Sequence, residues 1–370
     1  MQREAFIVLE DGSFFHGYSE ASHSITCAEV VFNTAMSGYQ EVCTDPSYVN
    51  QIVVFTTSHI GNVGANDEDC ESSHIWIKGV VAREMSHYTS NWRAKKSFLD
   101  FLNEGKIPWI EGVDTRKLVR HLQQHGSLNG CLVIGTISPL LSIQKARDHQ
   151  KAAGWGLFQI AIDRHMDEES EKNLKPPLEG PLVCVYDFGV KLSILNNLKS
   201  RGCRIRVVPG NAPSEEIISL NPQGVVLSNG PGDPSSSPFV IENVKKLIRS
   251  RIPLLGICFG CQLLGIASGG KTTKMKFGHH GINHPIYDLL RQRTYITSQN
   301  HNFMVDRQDF PDTLEITHIS LFDGSIQGFR SKEHFLIAFQ GHPEGSPGPQ
   351  DIGWLFDEFS AHLLQGVICH

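Results

Sequence analysis

The chain holds 370 residues, enough for two domains at roughly 150 residues each. Its 33 Lys and Arg stand against 39 Asp and Glu, a formal charge of −6, and 40% of the residues are hydrophobic, the balance of an ordinary globular protein. A nucleic-acid partner would call for a basic excess, and a membrane span for about 18 unbroken apolar residues; the chain has neither. The apolar run from Ala5 to Leu9 stops at Glu10 and Asp11, too short for the core of a secretory signal, so a cytoplasmic location is expected.

In chain order, Asp11-Gly12 between two apolar runs predicts a β-hairpin turn. Strand-like runs follow at Glu29 to Asn33 and Gln51 to Thr57. Asp114 can cap a helix that runs to Gln124, with Leu118 and Leu122 on one face and Gly126 closing it in a left-handed conformation. This predicts a β-rich α+β first domain over residues 1–152. From Asp163 to Gly180 the sequence carries six acidic and three basic residues and a Pro-Pro pair, so residues 153–180 read as a linker.

Beyond it, over residues 181–370, apolar strands alternate with amphipathic stretches. LVCVYDF (Leu182 to Phe188) precedes a helical run from Val190 to Arg201, and RIRVV (Arg204 to Val208) follows. GVVLS (Gly224 to Ser228) leads to a helical run from Phe239 to Arg249 and then to IPLLGI (Ile252 to Ile257). That alternation predicts an α/β fold with a doubly wound, mostly parallel sheet covered on both faces.

Ligands bind at the carboxyl ends of such strands, and two segments there are unusual. After Ile257 the chain reads Gly256-Ile257-Cys258-Phe259-Gly260, a small-x-nucleophile-x-small turn from strand to helix that would project Cys258 from the top of the sheet. The helix starting at Phe259 aims its N–H groups at the sulfur, and the Phe259 N–H is placed to stabilise an oxyanion. After Leu227, Ser228-Asn229-Gly230-Pro231-Gly232-Asp233-Pro234 lets backbone approach a ligand closely, although a plain surface turn fits it equally well.

Bland or rival readings stand beside these. The nine Cys are odd in number and scattered, as buried thiols of a reducing compartment would be. Cys258 and Cys261 have dithiol spacing, but a dithiol needs neither flanking glycine. Gly265 to Thr272 spells GxxxxGKT, yet it falls at the far end of the helix from Phe259, where Gly269 and Gly270 read as a stop rather than a phosphate loop. His279, His280 and His284 lack neighbouring carboxylates or cysteines for a metal site, so none is expected. His342-Pro343-Glu344 follows the apolar strand Phe335 to Phe339; spacing alone does not show whether His342 meets Cys258.

At these residues a resemblance enters. GICFGCQ (Gly256 to Gln262), SNGPGDP (Ser228 to Pro234) and GHPE (Gly341 to Glu344) resemble class I glutamine amidotransferases. KMKFGHHGINHP (Lys274 to Pro285), QNHNF (Gln299 to Phe303) and SLFDGSIQG (Ser320 to Gly328) resemble more narrowly the carbamoyl-phosphate synthase small-subunit family. SGYQEVCTDPSY (Ser37 to Tyr48), HIGNVG (His59 to Gly64), SNWR (Ser90 to Arg93) and GVDTRKLVRHL (Gly112 to Leu122) are similar to that family's N-terminal domain.

The resemblance implies Cys258 as nucleophile, His342 as its base and Glu344 as the carboxylate orienting the histidine. It implies glutamine held by Ser47, Gly230, Gly232, Phe259, Gln262, Asn300, Asn302 and Phe303, with Ser47 drawing the first domain into the site. It also implies a large synthetase subunit as partner, which carries the ATP and divalent-metal chemistry, and no cofactor in this chain. Three positions depart from the family's usual Leu, His and Gly: Phe259, Cys261 and Asn302. Phe259 is tolerable if its ring packs away, Asn302 is the mildest substitute if its φ is positive, and Cys261 is placed to form a disulfide with Cys258 under oxidation.

Overall fold

The computed structural model describes residues 2–149, 157 and 179–368; of the expected linker only residues 157, 179 and 180 fall among them. The chain divides into two compact units. One comprises Met1–Cys70, His74–Ala152 and Lys276–Gly281, and the other comprises Glu71–Ser73, Ala153–Met275 and Ile282–His370.

The first unit is built on a seven-stranded sheet. Its strands are β1 (Arg3–Leu9), β2 (Phe14–Ser19), β3 (Ser24–Asn33), β4 (Gln51–Phe55), β5 (Gly79–Val81), β6 (Trp109–Ile110) and β7 (Leu128–Ile134), in the order β2-β1-β7-β3-β4-β5-β6. β3 to β6 are parallel, whereas β1 and β3 run antiparallel to β7. Alternation sends Val31, Val53 and Val80 into one cluster with Tyr39, Phe98 and Trp109, and Val30, Ile52 and Val81 into another with Leu118 and Leu122. The helices are α1 (Tyr39–Thr44), α2 (Phe98–Glu104), α3 (Thr115–His125) and α4 (Pro139–Asp148).

Asp114 caps α3 as expected, its Oδ1 accepting from the Lys117 N–H at 2.9 Å. Gly126 closes the helix at φ 91° and ψ 179°, so its φ is positive but the residue is extended rather than left-handed helical. A Cβ there would lie 2.8 Å from the Lys276 carbonyl oxygen, which leaves glycine alone able to occupy the position. The expectation of unpaired thiols fails at one pair. Cys27 and Cys131 are direct partners in the β3–β7 register and form a disulfide, a pairing that 104 residues of separation conceal in the sequence.

The second unit holds β8 (Leu182–Asp187), β9 (Arg204–Pro209), β10 (Gly224–Leu227), β11 (Leu254–Ile257), β12 (Thr272–Asp288), β13 (Arg293–Val305), β14 (Leu314–Ser320), β15 (Ile326–Ser331) and β16 (Leu336–Phe339). The sheet order is β13-β12-β14-β15-β16-β11-β10-β8-β9. From β16 to β9 every pairing is parallel, while β14 and β15 extend the sheet antiparallel. The helices are α5 (Leu192–Ser200), α6 (Ser214–Ser219), α7 (Pro238–Ser250), α8 (Phe259–Ala267) and α9 (Trp354–Ile368).

Both sheet faces are covered, as a parallel sheet requires. Val244 and Leu247 of α7 and Leu263 and Leu264 of α8 join Cys184, Val225 and Leu254 on one face. Ile194 and Leu198 of α5 and Phe356 and Phe359 of α9 join Val183, Val226 and Leu255 on the other. Gly269 and Gly270 follow α8 and precede β12, so the GxxxxGKT run ends a helix rather than opening one. No helix among the described residues is long and apolar enough to cross a membrane.

Candidate active site

The parallel strands deliver the site from their carboxyl ends: Lys191 after β8, the Ser228 to Gly232 loop after β10, Cys258 after β11, and His342 and Glu344 after β16. Cys258 adopts φ 52° and ψ −103° between β11 and α8. This is strained backbone for a residue bearing a Cβ, of the kind kept where a nucleophile must project from a sharp strand-to-helix turn. The turn is pinned by the Cys258 N–H donating to the Phe339 carbonyl at 2.9 Å and by the Gly260 N–H donating to Ser228 O at 3.0 Å.

His342 and Glu344 are brought together at full burial. The Nδ1 of His342 lies 2.6 Å from Glu344 Oε1, and its Nε2 has no hydrogen-bond partner among the described residues. The imidazole is positioned from behind, its backbone N–H donating to Ser298 O at 2.9 Å. Burial by itself would lower the His342 ring, but the Glu344 carboxylate outweighs it. With help from the nearby Cys258 thiol, and against Lys191, it pushes the ring up to about 10. Burial would raise Glu344, yet the Lys191 and His342 charges hold its carboxyl well below the ordinary range.

Around the sulfur, the Cys258 Sγ is 3.5 Å from the Asn300 carbonyl oxygen, and Gln340 Nε2 points at it from 3.8 Å. Gln262 donates from Nε2 to Phe303 O at 2.8 Å and to Gln340 Oε1 at 3.2 Å, which ties β13 to α8. Gly230 is required by close approach, since a Cβ there would lie 2.5 Å from the Phe188 carbonyl oxygen; Gly232 has φ 93°. The Phe259 ring packs away from the sulfur, edge-on to Phe188 within the α7–α8 face of the core. Asn302 lies inside β13 with φ outside the left-handed region, so the condition that favoured asparagine there does not arise. Ser47 stands in the first unit on the turn Pro46–Tyr48, its N–H donating to Asp45 Oδ1 at 2.9 Å.

Cys258 and Cys261 are both free thiols, and their side chains belong to different core clusters. Burial pushes the Cys261 thiol well up, an inert setting that gives the dithiol reading no support. No group of three or more His, Cys, Asp or Glu side chains among the described residues is arranged to hold a metal ion.

Three participants escaped the sequence reading. Lys191, only 1% exposed, donates from Nζ to Glu344 Oε1 at 2.8 Å and to the Ser346 carbonyl. Gln340 sits one residue beyond β16. Glu71, counted with the second unit, accepts from Ser193 Oγ at 2.6 Å and from the Ser346 hydroxyl. Lys191 and Gln340 could have been sought at strand ends. Nothing in the sequence around Glu71 marks it.

The second unit has the fold of a class I glutamine amidotransferase, and the family model for "Glutamine amidotransferase class-I" matches residues 184–361. The model for "Carbamoyl-phosphate synthase small chain, CPSase domain" matches residues 7–132. Curated relatives are similar along their whole length. The carbamoyl phosphate synthase small chain of Pasteurella multocida is 44% identical, over 97% of this chain and 95% of its own. That of Vibrio vulnificus is 46% identical over 99% of both chains, and that of Pseudomonas aeruginosa 45% identical over 99% of this chain and 100% of its own. The chain belongs to the carbamoyl-phosphate synthase small chain family.

Proposed function

We propose that this chain is the glutamine-hydrolysing subunit of a carbamoyl-phosphate synthase, with Cys258, His342 and Glu344 as its catalytic residues. The observation that carries the reading is the strained Cys258 turn facing a buried histidine whose Nδ1 is held by Glu344 at 2.6 Å. Cys258 sulfur attacks the side-chain amide carbon of glutamine, its proton having passed to His342 Nε2 to give the imidazolium that Glu344 stabilises. Backbone N–H groups, that of Phe259 first, stabilise the tetrahedral oxyanion. The raised His342 favours the imidazolium, which gives its proton to the leaving ammonia as the C–N bond breaks. Water then attacks the glutamyl thioester, gives a proton back to His342 and releases glutamate and the Cys258 thiol. Ser47, Gly230, Gly232, Gln262, Asn300, Asn302 and Phe303 hold the substrate in this reading.

The ammonia passes through a protected channel to a large subunit, which joins it to bicarbonate with ATP and divalent metal to give carbamoyl phosphate for pyrimidine and arginine synthesis in the cytoplasm. This chain itself needs no cofactor. The test is glutamate release from glutamine by the chain alone and with a large subunit, for wild type and Cys258→Ala. Release should fall by at least about 10³-fold in the variant, the scale set by losing a covalent nucleophile. In the wild type it should rise when large subunit, ATP and bicarbonate are present. Absence of release from folded, reduced wild-type protein would sink the reading in favour of a silent subunit. Equal damage by Cys258→Ala and Cys261→Ala would favour a dithiol.

A further inference from the structure

One helix of the first unit is charged against its own interest. Arg116 and Lys117 occupy the second and third positions of α3, where the helix dipole disfavours cations, and Arg120 follows Arg116 at the repulsive i, i+4 spacing. Such pairs are tolerated when carboxylates answer them, yet none of the three forms an ion pair with a carboxylate among the described residues, and Arg83 forms none either. The acids close by are engaged elsewhere: Asp114, which lines the same clefts as these cations, accepts the Lys117 N–H at its Oδ1, and Asp11 lies 2.6 Å from His121.

These cations line two adjoining clefts of about 590 and 470 Å³, which share Asp114, Arg116 and Arg120. Lys117 lines the first, and Arg83 lines the second together with the hydroxyls of Thr56 and Ser58. All four cationic side chains are exposed. In a protein of net charge −6 this is a concentrated positive surface that local energetics do not explain.

The form of the surface selects the kind of anion. A single phosphate is usually cradled by several unspent N–H groups at a helix start. Here the Thr115 N–H donates to Val113 O, the Lys117 N–H to Asp114 Oδ1 and the Leu118 N–H to Asp114 O, so the backbone is largely committed. What remains is a spread of flexible guanidinium and ammonium groups across two open clefts, which suits several carboxylates on a protein surface better than one small oxyanion.

We propose that the Arg83, Arg116, Lys117 and Arg120 surface docks an acidic patch of the large subunit, with guanidinium–carboxylate pairs that steer association. The proposal rests on the partner reading above and names where that partner engages.

The test compares wild type with the double variant Arg116→Glu, Arg120→Glu and with the milder triple variant Arg83→Gln, Arg116→Gln, Arg120→Gln. Association with the large subunit is followed at low and moderate salt, and glutaminase activity of each chain alone serves as the folding control. Both variants should bind at least about tenfold more weakly, mainly through slower association, and with a flatter salt dependence, while keeping wild-type basal glutaminase. Unchanged affinity and salt dependence in a variant with full basal activity would overturn the proposal. So would stabilisation by inorganic phosphate that both variants lose while partner binding stays intact, since that marks a small-oxyanion site. If the wild type itself does not bind a large subunit, the partner reading falls and this surface assignment with it.

Discussion

Glu344 faces two cations through a single oxygen, with the His342 ring at 2.6 Å and the Lys191 ammonium at 2.8 Å, all of them buried. The carboxyl titrates near 2 rather than 4.5, so its stabilisation is complete above about pH 4.5 and drains away as pH falls towards 2. The imidazole is raised from 6.5 to about 10, so its stabilisation is complete below about pH 6.5 and is lost as pH rises towards 10. Both contributions are whole only between those limits. Replacing Glu344 with Gln strands Lys191 as a buried cation, a loss of about 3–5 kcal/mol. Thermal melts across pH 3–10 should show the gap between wild type and Glu344→Gln widest at pH 4.5–6.5 and narrowing on either side. A gap that does not vary with pH would mean that the charges do not matter. At this scale Cys258 stands out by its glycine-flanked strand-to-helix turn, whereas His342 and Glu344, which spacing alone does not join to it, are singled out only by the family resemblance. Lys191 was not legible, because a lysine at a helix start ordinarily reads as a solvated cation.

The turn that carries Cys258 needs both its glycines, for different reasons. A Cβ on Gly260 would come within 2.1 Å of the Leu227 carbonyl oxygen at the end of β10, and one on Gly256 within 2.5 Å of Leu264 and 2.8 Å of the Gly260 carbonyl oxygen. The first clash is with backbone that is itself paired in the sheet, so it cannot be relieved by a rotamer. Gly260→Ala should therefore cost about 3 kcal/mol or more and move the nucleophile, lowering both melting temperature and glutamate release. Retention of full activity and stability would show that the turn has slack that these distances deny. The elements around this turn, β8 to β11 with α5, α7 and α8, could be read in advance because their apolar runs and amphipathic periods are strong. The antiparallel strands β12 to β15 could not, since KFGHHGINHP mixes polar, aromatic and glycine residues without alternation. In the first unit, β5 and β6 hold only three and two residues, too few for any pattern, and their place is fixed by parallel pairing with β4.

Across the whole molecule, the division into two units does not follow a single cut in the chain. Glu71–Ser73 leaves the first stretch to join the second unit, where the Leu192 N–H donates to Glu71 O at 2.9 Å. Lys276–Gly281 leaves the second stretch to join the first unit, where Lys276 O accepts from the Ser127 N–H at 3.0 Å and His280 O from the Thr34 N–H at 3.1 Å. A change of composition near residue 163 could announce a boundary, but no local pattern could announce a trade of six residues for three. Each half thus wears a button sewn to the other. Two polypeptides of residues 1–152 and 153–370, made in one cell, should co-purify without any peptide bond between them, whereas either made alone should be less stable than in the intact chain; independent elution of two stable halves would refute this. A gene encoding this protein could accordingly be split at the middle and still yield one particle, while excising either half would leave the survivor with a gap in its fabric.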